Sequence, residues 1–325
     1  MINTFLDLSH SDDRHLILTP KNILLRSTFP WAFSIQKILH AARSRPFHGK
    51  HLFVGSDFGG NHKGAKYKTY AFLVVNDQPS PWLQKQKIIR DKYLTDSRRM
   101  SFKRLSDPIR QRALVPFLQA ADTLNGHLVV FAVHKSVRLH PHRRKDVNAW
   151  RDLFKFSGKW NHRSLEDAMR KAHLFSLIVS QWSKPFMDVT WITDQDEFVA
   201  NDARLDDVQK IAARFSSLYL PHTLREFAMN TAIVDDSRRY YEDLLSIPDL
   251  AAGLWSELLN HISKVPTWSD VNSNTELEDD LLQSKTDLLL DWYSFEKADL
   301  QRTCIIIDNI NGKGRVFKLD PLIPS

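Results

Sequence analysis

The stretch His51-Leu-Phe-Val-Gly-Ser-Asp57-Phe-Gly-Gly60 sets the terms for the rest of the chain. Leu52 to Val54 form a short apolar run that leads to an acid and a glycine pair, and a second apolar run, Tyr67 to Val75, follows. That pattern predicts a buried strand that delivers one carboxylate at its end and turns back as a hairpin. The glycines permit positive φ or the close approach of another molecule to the backbone. An Asp before Gly-Gly also serves as a plain turn cap, so Asp57 alone decides nothing. The weight comes from later acids in similar settings.

Upstream, residues 1–50 read as an N-terminal cap. Phe33 to Ala42 carries Phe33, Ile35, Ile38 and Leu39 at amphipathic-helix spacing, and Arg43-Ser-Arg-Pro46 breaks it. Downstream of the hairpin, with its basic turn Asn61-His-Lys-Gly-Ala-Lys66, Trp82 to Tyr93 is expected to hold a third strand around Lys87–Ile89. Asp107-Pro108 reads as the N-cap and first turn of a helix running to about Leu124. Asn125-Gly126 stops it, and His127 to Val133 is a buried strand. Ser164 to Ser183 has helical period, Met187 to Thr193 forms a strand that runs into Asp194-Gln-Asp196-Glu197, and Leu205 to Leu218 is helical again. Phe227 to Val234 is a strand ending in Asp235-Asp236-Ser237. Pro248 then opens a helix to about Ile262, which places Asp249 in its first turn. The tail carries an acidic stretch (Glu276, Glu278, Asp279, Asp280), a helix to about Lys297, and a hairpin of Thr303–Asp308 with Arg315–Leu319 around Asn311-Gly312-Lys-Gly314.

The 325 residues suit one large domain or two smaller ones, and the 42% hydrophobic and 26% charged fractions are those of a globular protein. No run of about 18 apolar residues occurs, so no membrane association is expected. The start has no basic-then-apolar leader pattern, and a single cysteine, Cys304, excludes an internal disulfide framework. A reducing, cytoplasmic setting fits both. Cys304 within Cys304-Ile-Ile-Ile307 reads as a packed thiol. A net charge of +7 favours an anionic partner, nucleic acid first. The cationic candidates lie in two runs: Arg98, Arg99, Lys103 and Arg104 before the first long helix, and Arg143, Arg144 and Lys145 after the strand it leads into. Such runs are often plain solvated faces, but two flanking one sheet point to phosphate contact. His140-Pro-His142, in the second run, reads as surface or phosphate contact, because the histidines show no zinc spacing. Neither a phosphate-binding Gly-rich loop nor a nucleophile elbow is present.

Three strand ends and one helix start thus deliver acids: Asp57, Asp194, Asp235 or Asp236, and Asp249. Mg²⁺ takes hard oxygen ligands, one or two carboxylates plus substrate phosphates. Paired ions can activate water and stabilise the leaving oxygen of a phosphodiester. The order of these elements resembles the ribonuclease H-like (retroviral integrase) superfamily. Within it, the chain is most similar to an uncharacterised bacterial domain family that opens with an Asp-Glu-Ser-Gly strand end and closes with an Asp-Ser strand end and an Ala-Asp-Leu-x-Ala-Gly helix. The matching stretches are Ser56-Asp57-Phe-Gly-Gly60, Val234-Asp235-Asp236-Ser237 and Ile247-Pro248-Asp249-Leu-Ala-Ala-Gly253. Two departures stand out. Phe58 replaces the second acid, and the helix from Asp107 to Leu124 has no Glu, so a three-acid set is the closer model.

The resemblance implies an α/β fold with a mixed sheet of five or six strands flanked by helices. Its domain would span 51–265, between the N-terminal cap and a C-terminal helix-and-hairpin extension, 266–325. It further implies Asp57 and Asp236 on neighbouring strands, with Mg²⁺ or Mn²⁺ held by Asp57, Asp249 and either Asp194 or Asp236. Three functions remain open at this point: a metal-dependent nuclease, a catalytically lapsed nucleic-acid-binding module, and a protein-interaction component that docks a partner through its C-terminal region.

Overall fold

A computed structural model describes residues 29–319, apart from 44–46, 48, 78–79, 141–143, 195, 233–238, 264–283, 296 and 311–312. Seven strands form one mixed sheet in the order β5-β4-β1-β2-β3-β6-β7. They are β1 (His51–Gly59), β2 (Tyr67–Asn76), β3 (Gly126–His134), β4 (Asp188–Thr193), β5 (Glu226–Thr231), β6 (Leu300–Ile310) and β7 (Lys313–Leu319). Strands β1, β2 and β3 run antiparallel in succession. β4 lies parallel to β1, β5 parallel to β4, and β6 parallel to β3, while β7 returns antiparallel on β6. The C-terminal hairpin is therefore continuous with the central sheet, which is why it has seven strands rather than five or six.

Helices cover both faces, because strands buried on two sides must shed water from each. On one face lie α2 (Trp82–Lys92), α3 (Pro108–Ala121), α7 (Tyr240–Ile262) and α8 (Ser284–Ser294), packed over Phe53, Ala71, Leu73, Val130 and Ile306. The other face holds α1 (Pro30–Ala42), α5 (His162–Trp182) and α6 (Asp202–Tyr219) over Leu52, Val54, Phe72, Val129 and Ile305, with Trp150 and Phe154 of α4 (Arg144–Phe154) at its margin. Among the described residues no helix is long and apolar enough to cross a membrane.

Local chemistry explains most boundaries. Asp107 caps α3 by accepting from the Ile109 N–H at 2.8 Å, and Asn161 caps α5 through the Arg163 and Ser164 N–H groups. Asp207, fully buried on α6, accepts from the Ser157 and Gly158 amides and from Trp160 Nε1, pinning the segment that enters α5.

Several expectations are corrected. Trp82 to Lys92 is a helix, not a strand, because Trp82, Gln86 and Ile89 recur at one helical face and are the buried residues. The helix expected from Pro248 begins at Tyr240: Leu244, Leu245 and Ile247 are buried on the same core, and Pro248 sits inside α7. Asp249 is thus mid-helix rather than in a first turn. His140 is not on the surface. It is buried, with Nε2 3.2 Å from His173 Nδ1 among Phe29, Trp31 and Phe215. Burial holds its pKa down at about 3, with Arg170 adding to the shift. Cys304 is a packed thiol whose pKa burial pushes up. His142 and the acidic stretch 276–280 lie outside the described residues.

Candidate active site

Side chains alternate along β1, so Phe53, Gly55, Asp57 and Gly59 look toward α7 while Leu52, Val54 and Phe58 look toward α5. The glycines on either side of Asp57 let the helix come close. A Cβ at Gly55 would lie 3.2 Å from Leu245 Cδ2, and one at Gly59 would lie 3.0 Å from the Ala252 carbonyl oxygen. Leu245, Asp249 and Ala252 share one face of α7 at helical spacing, which places Asp249 over the strand between the two glycine contacts. Thr69 of β2 secures the contact, its hydroxyl donating to the Ala252 carbonyl at 2.9 Å.

The Asp57 and Asp249 carboxyls lie close enough for each to bear on the other's charge. Burial first, then the charge and hydrogen bond of Asp249 and the charge of Asp194, hold the Asp57 carboxyl well above the usual carboxylate range; the Phe58 N–H, donating at 2.8 Å, pulls the other way. Asp194 follows directly on β4. The register pairs Ser56 with Thr193, so Asp57 and Asp194 each stand one residue past the last paired position of the parallel strands β1 and β4. Ligand sites of open α/β sheets gather at such carboxyl ends.

The basic segment of residues 98–102 forms the third wall. It is tethered to neighbouring helices by its backbone: Arg90 Nη1 donates to the Arg98 carbonyl at 2.9 Å, Arg110 Nε to the Arg99 carbonyl at 2.8 Å, and Ser246 Oγ to the Met100 carbonyl at 2.9 Å. The Phe102 N–H donates to Asp249 Oδ2 at 3.0 Å. Arg99 reaches into the cluster and grips Asp194 with both terminal nitrogens, each at 2.6 Å. Burial opposes its charge, but Asp194, Asp249 and Asp57 more than offset that, so its pKa is raised.

Gly253 holds this wall in place. A Cβ there would fall 2.1 Å from Phe102 Cγ, so the side chain of Phe102 occupies the space that the glycine leaves. Gly253→Ala should cost about 1–3 kcal/mol by overpacking, despite the better helix propensity of Ala, and should disturb the Phe102 amide on Asp249. Urea unfolding reads this; a midpoint equal to the wild type's would contradict the contact.

The structure brings Asp57, Asp249 and Asp194 together with Arg99. Asp236 lies outside the described residues, and the strand leading toward it, β5, pairs with β4 and not with β1. The neighbour of β1 is the strand of Asp194, which corrects the expected pairing of Asp57 with Asp236. Phe58 packs on Tyr70, Phe72 and Phe198 on the opposite face, so an acid at that position would not point at Asp249. Arg98 is engaged with Asp96 and Asp107. Lys103 and Arg104 are exposed. Arg143 lies outside the described residues, and Arg144 and Lys145 open α4.

The donor set suits a hard divalent ion: Asp57 and Asp249 offer neighbouring carboxylate oxygens, and an ion between them would satisfy both. Among the described residues no three such groups form a ready ligand cage, since Asp194 is turned to Arg99. No protein-family model matches the chain, and no curated protein matches it.

Proposed function

We propose that this chain is a metal-dependent nuclease of ribonuclease H-like type, in which Asp57 and Asp249 hold Mg²⁺ or Mn²⁺ and Asp194 completes the ligand set. The observation that carries this reading is that α7 sets Asp249 over Asp57 of β1, with Asp194 at the end of the neighbouring strand β4 near enough for its charge to act on Asp57, although the three are far apart in sequence. Burying like charges is costly, and a chain that keeps them together without a cation retains a cost that a metal removes. The resemblance implied Asp236 beside Asp57; the strand of Asp194 stands there instead, so Asp194 takes the third ligand position in this reading. A bound divalent ion supplies a lowered pKa for its water and charge stabilisation at the phosphoryl oxygens. The chain's own residues would fix that ion on Asp57 and Asp249, exclude bulk water with Phe102 and α7, and present Lys103 and Arg104 to the phosphate backbone.

The test is incubation with single- and double-stranded DNA, RNA and hybrid substrates in Mg²⁺, Mn²⁺ or EDTA. Cleavage with either ion and none with EDTA is the expected result; cleavage of no substrate with either ion would sink the reading. A second reading has its own support: Asp194 is occupied by Arg99, as suits a catalytically lapsed nucleic-acid-binding module. Lys103→Glu with Arg104→Glu separates binding from catalysis. It should weaken binding uniformly across sequences and reduce the salt slope by roughly one per lost phosphate contact. An unchanged slope would make the exposed pair ordinary solvated surface.

A further inference from the structure

We infer that Arg99 is a built-in counter-ion of the acid cluster, holding Asp194 until a divalent cation displaces it, so that metal binding and release of the guanidinium toward a phosphodiester are one event. This rests on the nuclease reading and names how the same site is regulated. The fork of Arg99 on Asp194 is two-pronged, with both side chains only about a quarter exposed, at 25% and 30%. Such paired bonds suit planar acceptors, and a phosphodiester presents the same two-oxygen face as a carboxylate. The carbonyls of Arg98, Arg99 and Met100 are all held by neighbouring helices. Displacement therefore moves the Arg99 side chain and leaves its backbone in place.

A second observation points the same way. Arg99 Nε is buried without a hydrogen-bond partner, so the pose on Asp194 leaves one donor unused. A pose that satisfied every donor would be a purely structural pair; this one has capacity for a further oxygen. The charge balance agrees. Arg99 brings one positive charge to the carboxyls of Asp57, Asp194 and Asp249, so a dication entering the cluster competes with it for Asp194. Binding free energies are reciprocal, so a phosphodiester that takes Arg99 must tighten metal binding by the factor that the metal tightens its own.

Calorimetric titration of Mn²⁺ into wild type, Arg99→Gln and Arg99→Lys tests this, first alone and then with a hydrolysis-resistant phosphorothioate oligonucleotide. Arg99→Gln should bind Mn²⁺ alone more tightly, by about 5- to 150-fold, the usual span of such coupling. Arg99→Lys keeps the charge but loses the fork and should fall between. The oligonucleotide should tighten Mn²⁺ binding to wild type and leave Arg99→Gln unmoved. Equal or weaker Mn²⁺ binding by Arg99→Gln, in a protein whose binding is destroyed by Asp57→Asn with Asp249→Asn, overturns the inference and leaves the nuclease reading standing. Absence of Mn²⁺ binding in every protein overturns both. If Arg99→Gln does not fold, Arg99→Lys carries the comparison, and affinity equal to wild type overturns the inference.

Discussion

Asp57→Asn should abolish metal-dependent cleavage while the chain stays folded and still binds nucleic acid. Asn keeps the size of the side chain but not the charge, and a metal held at this point would supply several kcal/mol to the transition state. At about 1.36 kcal/mol per factor of ten, the loss in rate should be on the order of 10³-fold or greater. The same substitution should stabilise the metal-free protein. The Asp57 carboxyl is held above its unfolded range by burial first, and then by the charge and hydrogen bond of Asp249 and the charge of Asp194. The folded state therefore binds this proton more tightly than the unfolded chain does. The stability contributed by the group is present in acid and is lost as pH rises through the raised folded pKa. Asn has no proton to lose, so in EDTA the variant should melt close to wild type in acid and progressively above it as pH rises. Added Mg²⁺ should raise the Tm of wild type and not that of the variant, because the ion binds only the folded state. A variant that cleaves at the wild-type rate with the same Mg²⁺ response would falsify the nuclease assignment.

The sequence made the acids visible because each strand end is marked by an apolar run with a charge at its close, as at Val54 to Asp57 and Trp191 to Asp194. Neighbouring strands were harder to read, since pairing depends on which strands meet in space, and β4 rather than β5 lies beside β1. Asp249 was found for the wrong reason. Pro248 looked like a helix start, yet burial of Leu244, Leu245 and Ile247 carries the helix through it, and the acid sits mid-helix. Trp82 to Lys92 misled because a short segment with isolated apolar residues fits either period until its burial is known. The spacing Gly55, Asp57, Gly59 held a signal not used: glycines on alternate positions of a strand mark the face where a helix packs close. The engagement of Arg99 with Asp194 had no sequence signal, since a basic run does not show which of its members turns inward.

Asp243→Ala should produce the largest loss of stability of any substitution considered, about 3–5 kcal/mol. Asp243 is 1% exposed and Arg90 only 12%, so both charges are out of water. Arg90 Nε donates to Asp243 Oδ2 at 2.8 Å, Arg90 Nη2 pairs with Oδ1, and Gln86 Nε2 donates to Oδ2 at 2.6 Å. Burial still raises the Asp243 pKa against the pull of Arg90 and Gln86, so the pair is costly to assemble and depends on its partners. Removing the carboxylate takes from the Arg90 guanidinium and the Gln86 amide the acceptor they share, and the penalty is that of a buried charge that has lost its counter-ion. Against a total stability of about 5–15 kcal/mol, that is a large share. Asp243→Asn keeps the shape and one acceptor and should lose less. Urea unfolding of the three proteins measures the order, with Asp243→Ala lowest and Asp243→Asn between; a wild-type midpoint for Asp243→Ala would show that the pair is solvated. The consequence reaches the acid cluster, because Arg90 also donates to the Arg98 carbonyl. Freed from Asp243, Arg90 no longer fixes the segment that carries Arg99. Asp243→Asn, folded enough to assay, should therefore alter Mn²⁺ affinity from a position that touches no metal ligand.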